Sequence, residues 1–183
     1  MGDQVSSCLG VIGRKHILID TCILIDLVTH LSEEGGFFDF YTMLLQSDCV
    51  PIISPFISYE LLSGELSIKA RKVKEAILGG IEAQELPLPQ EIYEWTQEFS
   101  WVYASQKWKD AKMVDFSNLV YLRKYPNEVL LATTNHKDFS LKILDRVFTY
   151  TVDDCDKKIF NISFYKWNEQ KYTSLVTKLE HLL

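Results

Sequence analysis

Hydrophobic positions along the chain switch between two spacings. Short unbroken apolar runs occur at His16 to Asp20 (HILID), Cys49 to Ser54 (CVPIIS) and Val129 to Thr134 (VLLATT). Their length and β-branched content predict buried strands. Between them the spacing becomes helical. Leu24, Leu27, Val28 and Leu31 make one stripe over Cys22 to Leu31, and Phe37 to Gln46 follows the Gly35-Gly36 break. Pro55 opens a helix, where its missing N–H costs nothing, and Gly64 stops it after Ser63. Further helices are predicted over Ser67 to Leu78, Gln90 to Ala104 and Ala111 to Tyr125, the last closed by Pro126. Ile81 to Leu88 reads as a short strand, Asp138 to Leu144 as a short helix or turn, and Val147 to Val152 as a strand near an edge. Trp167 to Leu183 reads as an amphipathic helix, its stripe of Leu175, Leu179 and Leu182 suited to core or dimer packing. Strands that alternate with helices predict an α/β fold: a central, mostly parallel sheet with helices on both faces.

The 183 residues favour one domain, 47% hydrophobic and 24% charged, as in ordinary globular proteins. Residues 1–14 read as a loose leader, 15–152 as the main domain, and 153–183 as an extension packed on it. Met1-Gly2 and Val5-Ser6-Ser7-Cys8 only faintly suggest lipidation signals, because no apolar stretch precedes Cys8. No run of about 18 apolar residues is present; Ile17 to Val28 is broken by Asp20 and Asp26. With 19 basic and 25 acidic residues the net charge is −6, which excludes binding to nucleic acid by bulk positive charge. It leaves open a nuclease that grips phosphate through bound cations. The four cysteines are scattered without metal-ligand spacing, so zinc is not expected; Cys22 and Cys49 read as buried thiols of a reducing, cytoplasmic protein.

Candidate chemistry lies where parallel sheets place it, beyond the carboxyl ends of strands. Asp20 ends the first strand. Glu60 follows the second, on the helix that strand feeds, and Asp138 follows the Val129 strand. Asp115 heads a helix and shares a face with Leu119 and Leu122. Two carboxylates ~5 Å apart repel by about 3 kcal/mol at an effective dielectric near 20, so four together cost of order 10–20 kcal/mol unless protons or cations neutralise them. Oxygen-only ligands suit Mg²⁺ or Mn²⁺, and such ions support hydrolysis of a phosphodiester.

Four local sequences then become specific. Ile19-Asp20-Thr21-Cys22-Ile23-Leu24 resembles the opening motif of PIN-domain ribonucleases. Ser54-Pro55-Phe56-Ile57-Ser58-Tyr59-Glu60-Leu61-Leu62-Ser63-Gly64 is similar to their second motif, Val114-Asp115-Phe116-Ser117-Asn118-Leu119 to the third, and Leu131-Ala132-Thr133-Thr134-Asn135-His136-Lys137-Asp138-Phe139 to the fourth. The ordered set spans about residues 16 to 152 and is nearest to the toxin half of VapBC-type toxin–antitoxin pairs. The resemblance implies a three-layer α/β/α sandwich and a Mg²⁺- or Mn²⁺-dependent endoribonuclease that cuts RNA with metal-activated water. It implies Asp20, Glu60, Asp115 and Asp138 as the catalytic, metal-holding quartet, with Thr133 and Asn135 in support. It also implies a cognate antitoxin, whose Arg- or Lys-bearing segment would fill the acidic groove, and a homodimer. Cys22 departs from the family, standing where many members carry a polar residue, with an expected loss of a hydrogen bond beside Asp20. The third motif follows a Lys-rich stretch instead of a small apolar lead-in.

Plainer readings stand beside these. Asn135 equally suits an Asx turn. Asp26 and His136 read as solvated groups. Arg71, Lys72 and Lys74, and Lys107, Lys109 and Lys112, form two basic clusters that could guide RNA phosphates, although charged helix faces are commonly just solvated. Trp101, Tyr103 and Trp108 suit packing better than base stacking. Two other functions compete. A non-catalytic PIN-like interaction module would usually have lost some of the acids. A haloacid-dehalogenase-type phosphatase needs a second acid where Cys22 stands.

Overall fold

The computed structural model describes residues 15–29, 37–63, 67–80, 84–108, 111–153 and 159–181. The three apolar runs become parallel strands β1 (His16–Ile19), β2 (Val50–Ile53) and β4 (Val129–Thr133), and their side chains are nearly all buried. The predicted 81–88 strand shrinks to β3 (Gln84–Glu85), because Pro87 and Pro89 cannot donate to a ladder. Residues 81–83 lie outside the described residues. The edge strand is longer than its pattern, β5 running from Leu144 to Asp153. Residues 138–143 form turns, closed by the Ile143 N–H on the Ser140 carbonyl.

A sixth strand, β6 (Ile159–Trp167), is not anticipated by the pattern, and it moves Trp167 out of the predicted C-terminal helix. β6 lies inside the sheet, whose order is β3-β2-β1-β4-β6-β5. It runs antiparallel to both β4 and β5, so the sheet is mixed. Residues beyond 152 therefore complete the core.

The helices are α1 (Thr21–Thr29), α2 (Phe37–Gln46), α3 (Pro55–Ser63), α4 (Ile68–Gly80), α5 (Ile92–Ser105), α6 (Met113–Lys124) and α7 (Glu169–Glu180). Phe40 of α2 packs on Phe164, whereas Phe99 of α5 packs on Trp167. Positions 164 and 167 of one strand point to opposite faces, so helices flank the sheet on both sides. That arrangement is compatible with a three-layer sandwich. Leu179 of the C-terminal stripe is buried and Leu175 half-buried; Leu182 lies outside the described residues, as do 1–14. No helix among the described residues is long and apolar enough to cross a membrane.

β1 has β2 on one side and β4 on the other. The chain winds from β1 out to β3, then returns to place β4 beside β1. The strand order reverses between β1 and β4, the position where open sheets form a crevice at their carboxyl ends.

Candidate active site

Asp20 sits at that crevice. Its N–H donates to Ala132 of β4 at 3.1 Å, and its carbonyl accepts the first bonds of α1. Asp20 thus caps α1, and the backbone that fixes the cap aims the carboxylate. Asp20 as a whole is 4% exposed. Oδ1 accepts from the Thr21 N–H at 2.8 Å, and Oδ2 accepts from the Thr133 hydroxyl at 2.6 Å. The Cys22 thiol also donates to Oδ2, at 3.2 Å, so the hydrogen bond expected to be lost with cysteine is kept by sulfur. Burial pushes the Asp20 carboxyl above its ordinary range, against the pull of these donors, and the Glu60 charge adds to the rise. Burial and the Asp20 charge push the Cys22 thiol up to about 12, so it stays protonated and donating.

Asp115 is the third residue of α6, and its Oδ2 accepts from the Lys112 N–H at 2.6 Å. This closes the first turn of α6 and holds the carboxylate at the helix start. Burial raises Asp115 to about 7. The Lys112 bond opposes the rise, and the Asp20, Asp138 and Glu60 charges add to it. Asp138 is buried in the turns after β4, and Asn135 donates to its Oδ2. Glu60, half-buried on α3, has Lys112 Nζ 3.8 Å from its Oε1.

All four acids line one open cavity of about 200 Å³, together with Thr21, Cys22, Ile25, Lys112 and Asn135. The structure thus gathers the four from separate segments of the chain. Thr133 acts one step behind them: it holds Asp20, while its oxygen accepts from the Asn135 N–H at 2.9 Å. Asn135 therefore ties the Asp20 and Asp138 sides together. Asp26, His136, Arg71, Lys72 and Lys74 do not line the cavity. Arg71 pairs with Glu75, and Lys74 donates to the Leu61 carbonyl. Lys109 lies outside the described residues.

Two supporting residues escape sequence reasoning. Asn118, fully buried, donates to Asp20 Oδ1 at 3.5 Å, and its own Oδ1 has no hydrogen-bond partner. The signal for it is an amide three residues after Asp115 at the head of the apolar run Leu119 to Leu122. Tyr103 reaches from α5 to donate its hydroxyl to the Asp138 carbonyl at 2.8 Å, and Trp108 stacks edge-on against it at 4.7 Å. The aromatic side chains at 103 and 108 are thus packing, as their composition suggested.

Among the described residues, no three His, Cys, Asp or Glu side chains are placed closely enough to bind one metal ion directly. The cavity offers carboxylate oxygens, amide and hydroxyl groups, one thiol and no imidazole, a donor set suited to a hard divalent cation. No protein-family model matches the chain, and no curated protein matches it significantly.

Proposed function

We propose that the protein is a Mg²⁺- or Mn²⁺-dependent endoribonuclease of the PIN-domain type. One observation carries the reading: the four acids that resemble the family's motif acids line a single cavity at the switch point of the sheet. A gathering of like charges at this cost is hard to account for by stability alone. Asp20, Glu60, Asp115 and Asp138 would hold the ion. Magnesium keeps several waters and needs only one or two direct carboxylates, so acids too far apart to share one bare ion still suit a hydrated one. When bound, the ion supplies a water acidic enough to attack near neutral pH and a Lewis acid for the phosphoryl oxygens. The chain's own residues do the positioning. Thr133, Cys22 and the Thr21 N–H fix Asp20, Asn135 fixes Asp138, and the N-terminal turn of α6 fixes Asp115.

The resemblance extends the proposal to a cytoplasmic toxin, dimeric and restrained by an antitoxin whose Arg or Lys enters the cavity. The test is purified protein with single-stranded and structured RNA in Mg²⁺ or Mn²⁺, beside Asp20→Asn. Wild type is expected to cut and the variant to lose at least about 100-fold. Equal rates would end the reading. Absence of Mn²⁺ binding by calorimetry would favour the non-catalytic interaction module.

A further inference from the structure

We propose that Lys112 is a phosphate-contacting residue of this site, its ammonium passing from Glu60 to the incoming phosphodiester. The inference rests on the ribonuclease reading and adds a residue that the four-acid set does not contain. Lys112 touches two of the four acids in different ways. Its backbone N–H is bonded to Asp115 at 2.6 Å, so its Cα is fixed at the cavity rim. Its side chain leans over the mouth toward Glu60, 3.8 Å away. That separation exceeds the 2.7–2.9 Å of a charge-assisted hydrogen bond, so Coulomb attraction holds the ammonium without locking it. The side chain is 75% exposed and has room to turn.

A phosphodiester is an anion and must approach four carboxylates. Among the described residues that line the cavity, Lys112 is the only one with a cationic side chain. Divalent ions would neutralise the floor of the site; at its rim Lys112 brings a positive charge. A fixed root with a mobile cationic tip suits a group that trades one anion for another. Arg71, Lys72 and Lys74 do not line the cavity.

The test uses the full chain. Binding of a fluorescent single-stranded RNA is followed by anisotropy across a salt series, in an Asp138→Asn background that prevents cutting, with and without Lys112→Ala. Cleavage kinetics and Mn²⁺ affinity are measured for Lys112→Ala and Lys112→Arg with Asp138 intact. Lys112→Ala is expected to weaken RNA binding about tenfold and to make the log–log salt dependence shallower by about 0.7, the loss of one phosphate contact to a single strand. KM should rise with kcat nearly unchanged, and Lys112→Arg should restore binding. The alanine variant keeps the backbone bond to Asp115, so its melting temperature should match wild type. An unchanged salt slope, with Mn²⁺ binding tightened, would overturn the proposal and make Lys112 only the counterion of Glu60. Wild type that cuts while Lys112→Ala behaves identically removes Lys112 alone. If wild type cuts no RNA and Asp138→Asn binds none, the ribonuclease reading falls and takes the proposal with it.

Discussion

Two regions of this molecule gather charge beneath the same helix, α6, and treat it in opposite ways. At its C-terminal end Arg123 is enclosed. The guanidinium lies 4.5 Å over the Trp95 ring and 4.8 Å over Tyr172, and it bonds Glu98 at 2.8 Å. Tyr172 donates to the other oxygen of Glu98 at 2.6 Å, and Glu169 stands 3.8 Å from Arg123 while accepting from the Trp167 indole. At its N-terminal end, Asp115 faces three other carboxylates across a cavity with one loosely held lysine. A stabilising charge is given an opposite charge, a stacking surface and its hydrogen bonds. The acidic cavity keeps like charges together and leaves their neutralisation to something from outside.

Exchanging charge for neutrality should therefore have opposite consequences at the two ends. Asp20→Asn is expected to abolish RNA cleavage, by at least about 100-fold, while leaving the melting temperature equal or higher, because it removes one of four mutually repelling charges. Arg123→Ala should leave cleavage within about twofold and cost about 2–4 kcal/mol, by stranding Glu98 and emptying the space between the rings. For a chain of this size that is a fall of roughly 5–15 °C in Tm. Cleavage assays paired with thermal melts on both variants check this. A destabilised Asp20→Asn would erase the contrast.

External neutralisation is the next largest effect. Mn²⁺ at about 100 times its Kd should stabilise the protein by about 2.7 kcal/mol, chelation should reverse this, and Asp115→Asn should blunt it. Thermal melts in a Mn²⁺ titration read it directly. The contrast also has a pH signature. Asp115 in the fold releases its proton at about 7, against 3.8 for an ordinary aspartate. Between these values the folded state holds a proton that the unfolded chain has lost, so in the absence of metal stability falls as pH rises from about 4 to about 7. Asp115→Asn should flatten that slope in chemical-denaturation curves taken across the window. Asp145 behaves in the opposite sense. The hydrogen bond from Lys171, 2.8 Å away, holds its carboxyl below the usual range, so its contribution is present above pH 3.8 and disappears as pH falls below.

How far this was legible in the sequence depended on whether the signal was local. β1, β2 and β4 are central parallel strands whose apolar runs announce themselves. Asp20 ends a strand and Asp115 heads a helix, whereas Glu60 and Asp138 lie several residues beyond their strands and were picked out with the others by the motifs they resemble. β6 was hidden because it is buried over Ile162 to Tyr165 with Ser163 among them, so neither alternation nor a purely apolar run marks it. β3 was read as part of a strand over 81–88, but only its two polar residues pair with β2, so the apolar positions around them overstated its length. Asn118 and Tyr103 owe their roles to the partners they meet across the fold, Asp20 and Asp138, and no spacing encodes those meetings.

The smallest predicted effects fall on residues that hold the acids without being acids. Tyr103→Phe removes the hydroxyl bond to the Asp138 carbonyl and keeps the ring against Trp108 and Phe116. Losing one partner of a buried hydrogen bond should cost about 1–2 kcal/mol. Because the bond fixes the backbone of the turn, cleavage should fall several-fold, through kcat more than KM. Cys22→Ser is gentler. The thiol donates to Asp20 beside the Thr133 hydroxyl, whose own proton also goes to Asp20, and a serine hydroxyl can keep that donation. Rates within about threefold of wild type are expected, with Cys22→Ala falling below both, because it leaves Asp20 Oδ2 to Thr133 alone. A Cys22→Ala enzyme as fast as the serine variant would mean that the thiol merely fills space. Asp20 would then be aimed by its neighbours Thr21 and Thr133, and the departure at position 22 would have no bearing on the site.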